Sequence, residues 1–237
     1  MPIINVEGVG KVEFPDSMNR AQIDAAIRNE ILPALARAQT SAASAPPAAH
    51  APTPFSKGTA YADTNWKVGD RYRYRVIDLL TKVESTESRG GTVTAVTDAE
   101  VVYGNGRRVT DLLGNVLKNP NGQTFTGSQI FVDEYRVGRR WTTTYRGTRK
   151  DLQPEDWSFD FKVVTREPVT VPAGTFDTFK VEGEGYSKAA GVHYVWTYWM
   201  APEKVRPFIV FERMQRHIRS NRYGQTERIE LAQYKQS

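Results

Sequence analysis

The chain has no cysteine, which excludes disulfide staples and thiolate metal ligands without choosing a compartment. It has no continuous apolar run of about eighteen residues, so no membrane-spanning helix is expected. Histidine is scarce: His50, His193 and His217 are the full set. None stands in the H-E-x-x-H spacing that puts two metal ligands on one helix face. G-x-S-x-G, Walker A and G-x-G-x-x-G are also absent. Gly8-Val9-Gly10 and Gly104-Asn105-Gly106 are isolated turn glycines. Glu182 and Glu184 share one face of a strand, whereas the carboxylates of a glycosidase oppose one another across the substrate. Asp151, Glu155, Asp156 and Asp160 lack the glycine and alternating oxygens of a calcium loop, and read as an acidic surface loop. Catalysis is therefore not expected, and neither is a metal or any other cofactor.

A secretory leader is missing from the first thirty or so residues as well. Such a leader needs a basic start and then an unbroken apolar stretch. Glu7, Lys11, Glu13 and Asp16 interrupt every candidate. The default compartment is the cytoplasm.

What is present is unevenly placed. The 237 residues carry a net charge of +5. Residues 204–237 hold eight basic and three acidic groups, which accounts for the whole excess. Nearly all the aromatic residues lie after Phe55.

Three segments follow. Residues 1–37 read as a hairpin and a helix. Two short β-prone runs flank Gly8-Val9-Gly10. Asn19 suits the N-cap of a helix over Arg20–Leu32, with Gln22 at the capping-box position. Ile23, Ala26, Ile27 and Ile31 make its apolar face. A unit this small rarely stands alone, so it is expected to dock on the rest of the chain or on a protein partner. Gly10, Val12, Phe14, Pro15, Asp16, Met18 and Ile23 resemble a short hairpin-helix module of phage virion and bacterial proteins. Residues 38–60 are rich in Ala, Pro and Ser and read as a semi-extended linker.

Residues 61–237 change texture to short alternating runs separated by turn signals, among them Gly90-Gly91, Asn121-Gly122 and Pro172-Ala173-Gly174. Ten strands are predicted, from Arg71–Ile77 to Thr226–Tyr234, with antiparallel pairing because the connections are short. Val68-Gly69-Asp70-Arg71-Tyr72 recurs as Val137-Gly138-Arg139-Arg140-Trp141, and Val93–Thr97 recurs as Phe161–Thr165 at nearly the same offset. The expected class is mainly β: a curved antiparallel sheet, either a half-barrel or a flattened barrel, behind the hairpin-helix module.

In Val192–Met200, the side chains of Tyr194, Trp196, Tyr198 and Met200 share one face. His193, Val195, Thr197 and Trp199 share the other. Large groups on both faces imply a packed core on one side and a covering segment or cavity on the other. Val171-Pro172-Ala173-Gly174-Thr175-Phe176, Tyr198-Trp199-Met200-Ala201-Pro202 and Trp66-x-Val68-Gly69-Asp70-x-Tyr72 resemble the motifs of an uncharacterised bacterial family of β-rich, usually exported domains. The resemblance covers roughly residues 66–234 and implies a sheet curved like that of lipoprotein-carrier proteins. It also implies a periplasmic alternative to the cytoplasm, although the missing leader departs from the family's pattern.

The functional expectation is a non-catalytic binding protein whose sheet shelters an apolar or amphipathic ligand in a cavity of several hundred cubic ångströms, or which binds a protein partner. The alternative is a structural or assembly protein, virion-associated, docking through residues 1–37. The candidate site residues are Trp141, Tyr194, Trp196, Tyr198 and Trp199, with Arg213 and Arg216 as anion contacts. The basic C-terminal segment also fits an edge strand protected by charge, and nucleic acid is not an expected partner.

Overall fold

The computed structural model describes residues 3–6, 10–13, 17–18, 22–23, 25, 58–86, 89–104, 106–149, 151–187 and 189–237. The chain divides into two compact units, residues 1–53 and 54–237. In the first, β1 (Ile3–Val6) pairs antiparallel with β2 (Gly10–Glu13). Of the helix expected over Arg20–Leu32, Gln22, Ile23 and Ala25 are described and helical. The rest of that helix and most of the linker lie outside the described residues.

The second unit is mainly strand, as expected. In chain order it contains β3 (Thr59–Tyr61), β4 (Arg71–Asp78), β5 (Arg89–Val96), β6 (Glu100–Tyr103), β7 (Arg108–Asp111), β8 (Val116–Lys118) and β9 (Phe125–Thr126). There follow β10 (Glu134–Arg136), β11 (Arg140–Thr148), β12 (Pro154–Val171), β13 (Gly174–Ser187), β14 (Val192–Met200), β15 (Val210–His217) and β16 (Tyr223–Lys235). β3 pairs with β10. The other twelve make one antiparallel sheet in the order β8-β7-β6-β5-β4-β16-β15-β14-β13-β12-β11-β9.

Its two ends meet. Lys118 on β8 bridges to Thr124, and the amide of Thr148 on β11 donates to Thr124 O at 2.9 Å. The sheet is thus a nearly closed barrel. Register shifts at Val163/Thr165, Gln215/Arg216, Leu231/Gln233 and Val93/Ala95 supply the extra twist that closure needs.

The sequence repeat is also a structural one. Gly69 N donates to Val93 O and Val93 N to Asp70 O. In the second copy Gly138 N donates to Val163 O and Val163 N to Arg139 O. Both glycines have positive φ, 97° and 92°, a conformation that costs glycine little. Each copy starts a strand and ties it to the next.

Two expectations are corrected. Gly90-Gly91 is no turn but lies within β5, where a Cβ on Gly90 would sit 2.0 Å from Tyr72 O. The supposed acidic loop is largely strand: β12 begins at Pro154, with Glu155 buried and Asp156 and Asp160 facing out toward Arg146 and Thr142.

Alternation fills the interior. On β12, Trp157, Phe159, Phe161 and Val163 point inward between exposed residues. Phe159 stacks on Trp196 with centroids 4.2 Å apart and on Phe161 at 5.6 Å. The outer face of the same sheet carries a charge ladder. Lys180 pairs with Glu182 at 2.9 Å, Arg228 with Glu212 at 2.6 Å, and Arg75 with Glu230 at 2.6 Å. Trp199 lies beneath it, buried under Lys180 and Arg228, its indole N–H donating to Glu167 Oε1 at 2.8 Å.

Burial pushes Glu230 up, but the hydrogen bonds and charges of Arg228 and Arg75 more than reverse this and hold it below its ordinary 4.5. A carboxyl depressed on folding stabilises the protein fully above its unfolded value, and the contribution disappears as pH falls through the folded value. In urea titrations across roughly pH 5 to pH 3, Glu230→Gln is therefore expected to flatten the acid loss of stability. An unchanged slope would remove Glu230 from the acid limb.

Candidate functional site

Five of the seven residues singled out in the sequence face the barrel interior. Trp141 stacks on Phe161 at 5.3 Å and donates its indole N–H to Gln129 O. Tyr194 accepts from Trp157 Nε1 at 3.3 Å. Trp196 is buried, and its indole nitrogen has no partner. Tyr198 is fully buried and donates to Ile130 O at 2.6 Å. Arg213 stands opposite Trp196 in the register and pairs with Glu227. The other two face outward: Trp199 beneath the charge ladder, and Arg216 exposed opposite His193. The four inward aromatic residues form one packed stack, and none of the seven lines the cavity described next.

That cavity lies at the other side of the interior, between β4–β7 and the segment that follows β14. Its volume is about 50 Å³, room for about three to five waters rather than the several hundred cubic ångströms expected. Aromatic stacks pack the side of the interior formed by β11, β12, β14 and β15. Tyr72, Tyr74, Tyr103, Phe131 and Phe208 make its wall an apolar one, with Arg108 as its charged member. Burial pushes the Tyr103 hydroxyl up to about 12, so it stays protonated in neutral solution.

An open groove of about 360 Å³ runs over β4 and β5, lined by Arg71, Arg73, Arg89 and Thr92. Cavity and groove share Tyr72, Gly90 and Gly91. The two glycines thin the sheet at this point. Gly91 faces the Tyr103 ring, with space for a Cβ at 3.5 Å.

Beside the cavity stands an inward cluster of charge. Arg89 grips both oxygens of Glu227, at 2.6 and 2.7 Å. Arg213 also donates to Glu227 Oε1, as does Gln225 Nε2 at 2.6 Å. Burial pushes the Arg213 guanidinium down; Glu227 works against this, while the charges of Arg89 and Arg108 push it down further. Burial likewise pushes Glu227 up, but Arg89 and Arg213 more than reverse that. Among the described residues no three His, Asp or Glu side chains are grouped to hold a metal, and no helix is long and apolar enough to cross a membrane.

No protein-family model matches the chain, and no curated sequence does. Solved structures with some likeness exist. One is a Bacteroides fragilis protein described as exported and with a YmcC-like fold; it is 15% identical, with a TM-score of 0.48 over 76% of this chain and 100% of its own. A lipoprotein, so named, from Parabacteroides distasonis is 14% identical, with a TM-score of 0.41 over 71% of this chain and 96% of its own. The hypothetical lipoprotein YmcC of Escherichia coli is 12% identical, with a TM-score of 0.41 over 68% of this chain and 84% of its own. None of these likenesses assigns a ligand to this chain.

The residues that sequence reasoning missed are Gly91, Arg89, Arg108 and Tyr103. Arg108 left no signal, because β7 alternates Arg108 and Thr110 against Val109 and Asp111 and offers no apolar face to set its phase. Arg213 was reachable through the basic composition of the C-terminal segment, though not its inward direction.

Proposed function

We propose that the β unit is a non-catalytic binding module for a small amphipathic molecule, held where the ring-lined cavity meets the arginine groove. The observation that carries this is the sharing of Tyr72, Gly90 and Gly91 by an apolar pocket and a polar, arginine-rich one. Such a junction suits a ligand with one apolar and one polar end, since sites of this kind combine an apolar wall with a few placed polar groups. The small cavity limits the apolar part to a short chain or a compact group.

Native mass spectrometry of the freshly purified full-length protein tests the proposal. The expected result is a reproducible extra mass that organic solvent strips off and that Gly91→Val abolishes, because two further methyl groups narrow the shared opening. A ligand-free protein would count against it. A ligand-free oligomer that is lost on deleting residues 1–37 would replace it with the assembly role.

A further inference from the structure

Two guanidinium groups, Arg89 and Arg213, already share the one carboxylate of Glu227, and a third, Arg108 in the cavity wall, stands close enough for its charge to act on Arg213. Glu227 already takes four donors, three of them on one oxygen. Its Oε1 takes donors from Arg89, Arg213 and Gln225, and its Oε2 takes the second from Arg89. Gln225 is itself engaged by Gln215. Nearby Asp78 is turned to the β4 turn and to Thr226, and Asp111 caps its own turn at Leu113 and Asn115. Arg108 makes no ion pair with any described residue. Its Nε and that of Arg213 are both buried without a hydrogen-bond partner.

A buried donor that water has left and nothing has replaced costs on the order of 1–3 kcal/mol, more when charged. Arg108, held over the Tyr103 ring at 6.0 Å and with no protein acceptor for its Nε, is placed to meet an acceptor that a ligand brings into the cavity. The guanidinium fork matches a planar carboxylate, whose two oxygens take parallel N–H donors.

We propose that Arg108, supported by Arg89 and Arg213, is the recognition site for the carboxylate of a short-chain organic acid whose apolar end enters the neighbouring cavity. This rests on the binding role proposed above and names the polar end of its ligand. Glu227 is the built-in counterion that holds Arg89 and Arg213 in place. Arg108 is left free for the ligand.

The test is an NMR titration of the full-length protein with sodium butyrate, butan-1-ol and inorganic phosphate at constant ionic strength, following the side-chain Nε–H signals of Arg108 and Arg213. Butyrate is expected to shift both signals and to bind at least about tenfold more tightly than butan-1-ol, which corresponds to about 1.4 kcal/mol. Arg108→Met, which breaks no ion pair of the fold, is expected to remove that difference while butan-1-ol binding persists. Equal binding of butyrate and butan-1-ol overturns the carboxylate assignment and leaves the binding module standing. Tighter binding of phosphate than of butyrate also overturns the assignment. Absence of binding by all three overturns both proposals.

Discussion

Arg206→Met is expected to lower the unfolding free energy by about 3–5 kcal/mol, because removing one partner of a buried ion pair strands the other. Asp70 has no exposed surface, and Arg206 is only 6% exposed. Arg206 Nη1 donates to Asp70 Oδ2 at 2.6 Å, Nε to Asp63 Oδ2 at 2.8 Å, and Nη2 to Ser237 O at 3.0 Å. Asp70 in turn accepts the amides of Lys67 and Ser237. The network therefore ties the start of β4 to the segment after β14 and to the end of β16. Without the guanidinium, two amides must neutralise a carboxylate that water cannot reach.

For a unit of this size the loss corresponds to roughly 6–20 °C in Tm, read by thermal or urea unfolding through tryptophan fluorescence. Arg206→Met combined with Asp70→Asn is expected to recover part of the loss, since the stranded charge is then gone. A single variant within about 0.5 kcal/mol of the parent would mean that the pair contributes nothing net.

The same residues show what the sequence made legible. Asp70 belongs to the Trp66-x-Val68-Gly69-Asp70-x-Tyr72 element, and its neighbours in the network, Trp66 and Tyr72, are both core residues. The motif was readable as a strand opening. Its partner was not, because Arg206 lies 136 positions away and resembles its basic neighbours in composition. Strand phase was legible wherever alternation was clean: Tyr194, Trp196, Tyr198 and Met200 do share the inner face. It was lost at the start of β12, where Asp156 and Asp160 on the outward face drew attention as an acidic cluster, and where β7 offered no apolar side.

The candidate site suffered most from this. Its wall is assembled from β4, β5, β6 and β7 and from the segments around Phe131 and Phe208, and no local pattern announces a wall built from so many pieces. The aromatic residues singled out in the sequence lie in the core or pack against it. Large rings pack best against one another, so a dense run of them marks a filled interior at least as often as an open one.

The largest consequence of that filled interior concerns two glycines. On β13, Val181, Gly183, Gly185 and Ser187 point inward between exposed Glu182, Glu184 and Tyr186. Gly185 pairs with Phe159 on one side and Tyr194 on the other; Gly183 pairs with Phe161 and Trp196. A Cβ on Gly185 would sit 2.3 Å from Phe159 Cδ1, and one on Gly183 would sit 2.1 Å from Phe161 Cε1. The phenyl rings lie flat over strand positions that have no side chain, which is how aromatic residues compensate glycine in a sheet. From there Phe159 reaches Trp196.

Gly185→Val is therefore expected to cost about 3 kcal/mol or more, because the ring must leave its place or the strands must separate. Phe159→Ala is expected to cost about 3–5 kcal/mol through the cavity that it leaves. The two losses do not add: with the ring removed, the valine has room and fills part of the void. The double variant should be more stable than the sum of the single effects predicts by about 1–3 kcal/mol. Urea unfolding of the four proteins measures this directly. Additivity within about 0.5 kcal/mol would show that ring and glycine are independent, and that the flat packing of Phe159 over Gly185 does not organise the core. A strong coupling would identify these glycines as what lets β12 and β14 share one aromatic layer across β13.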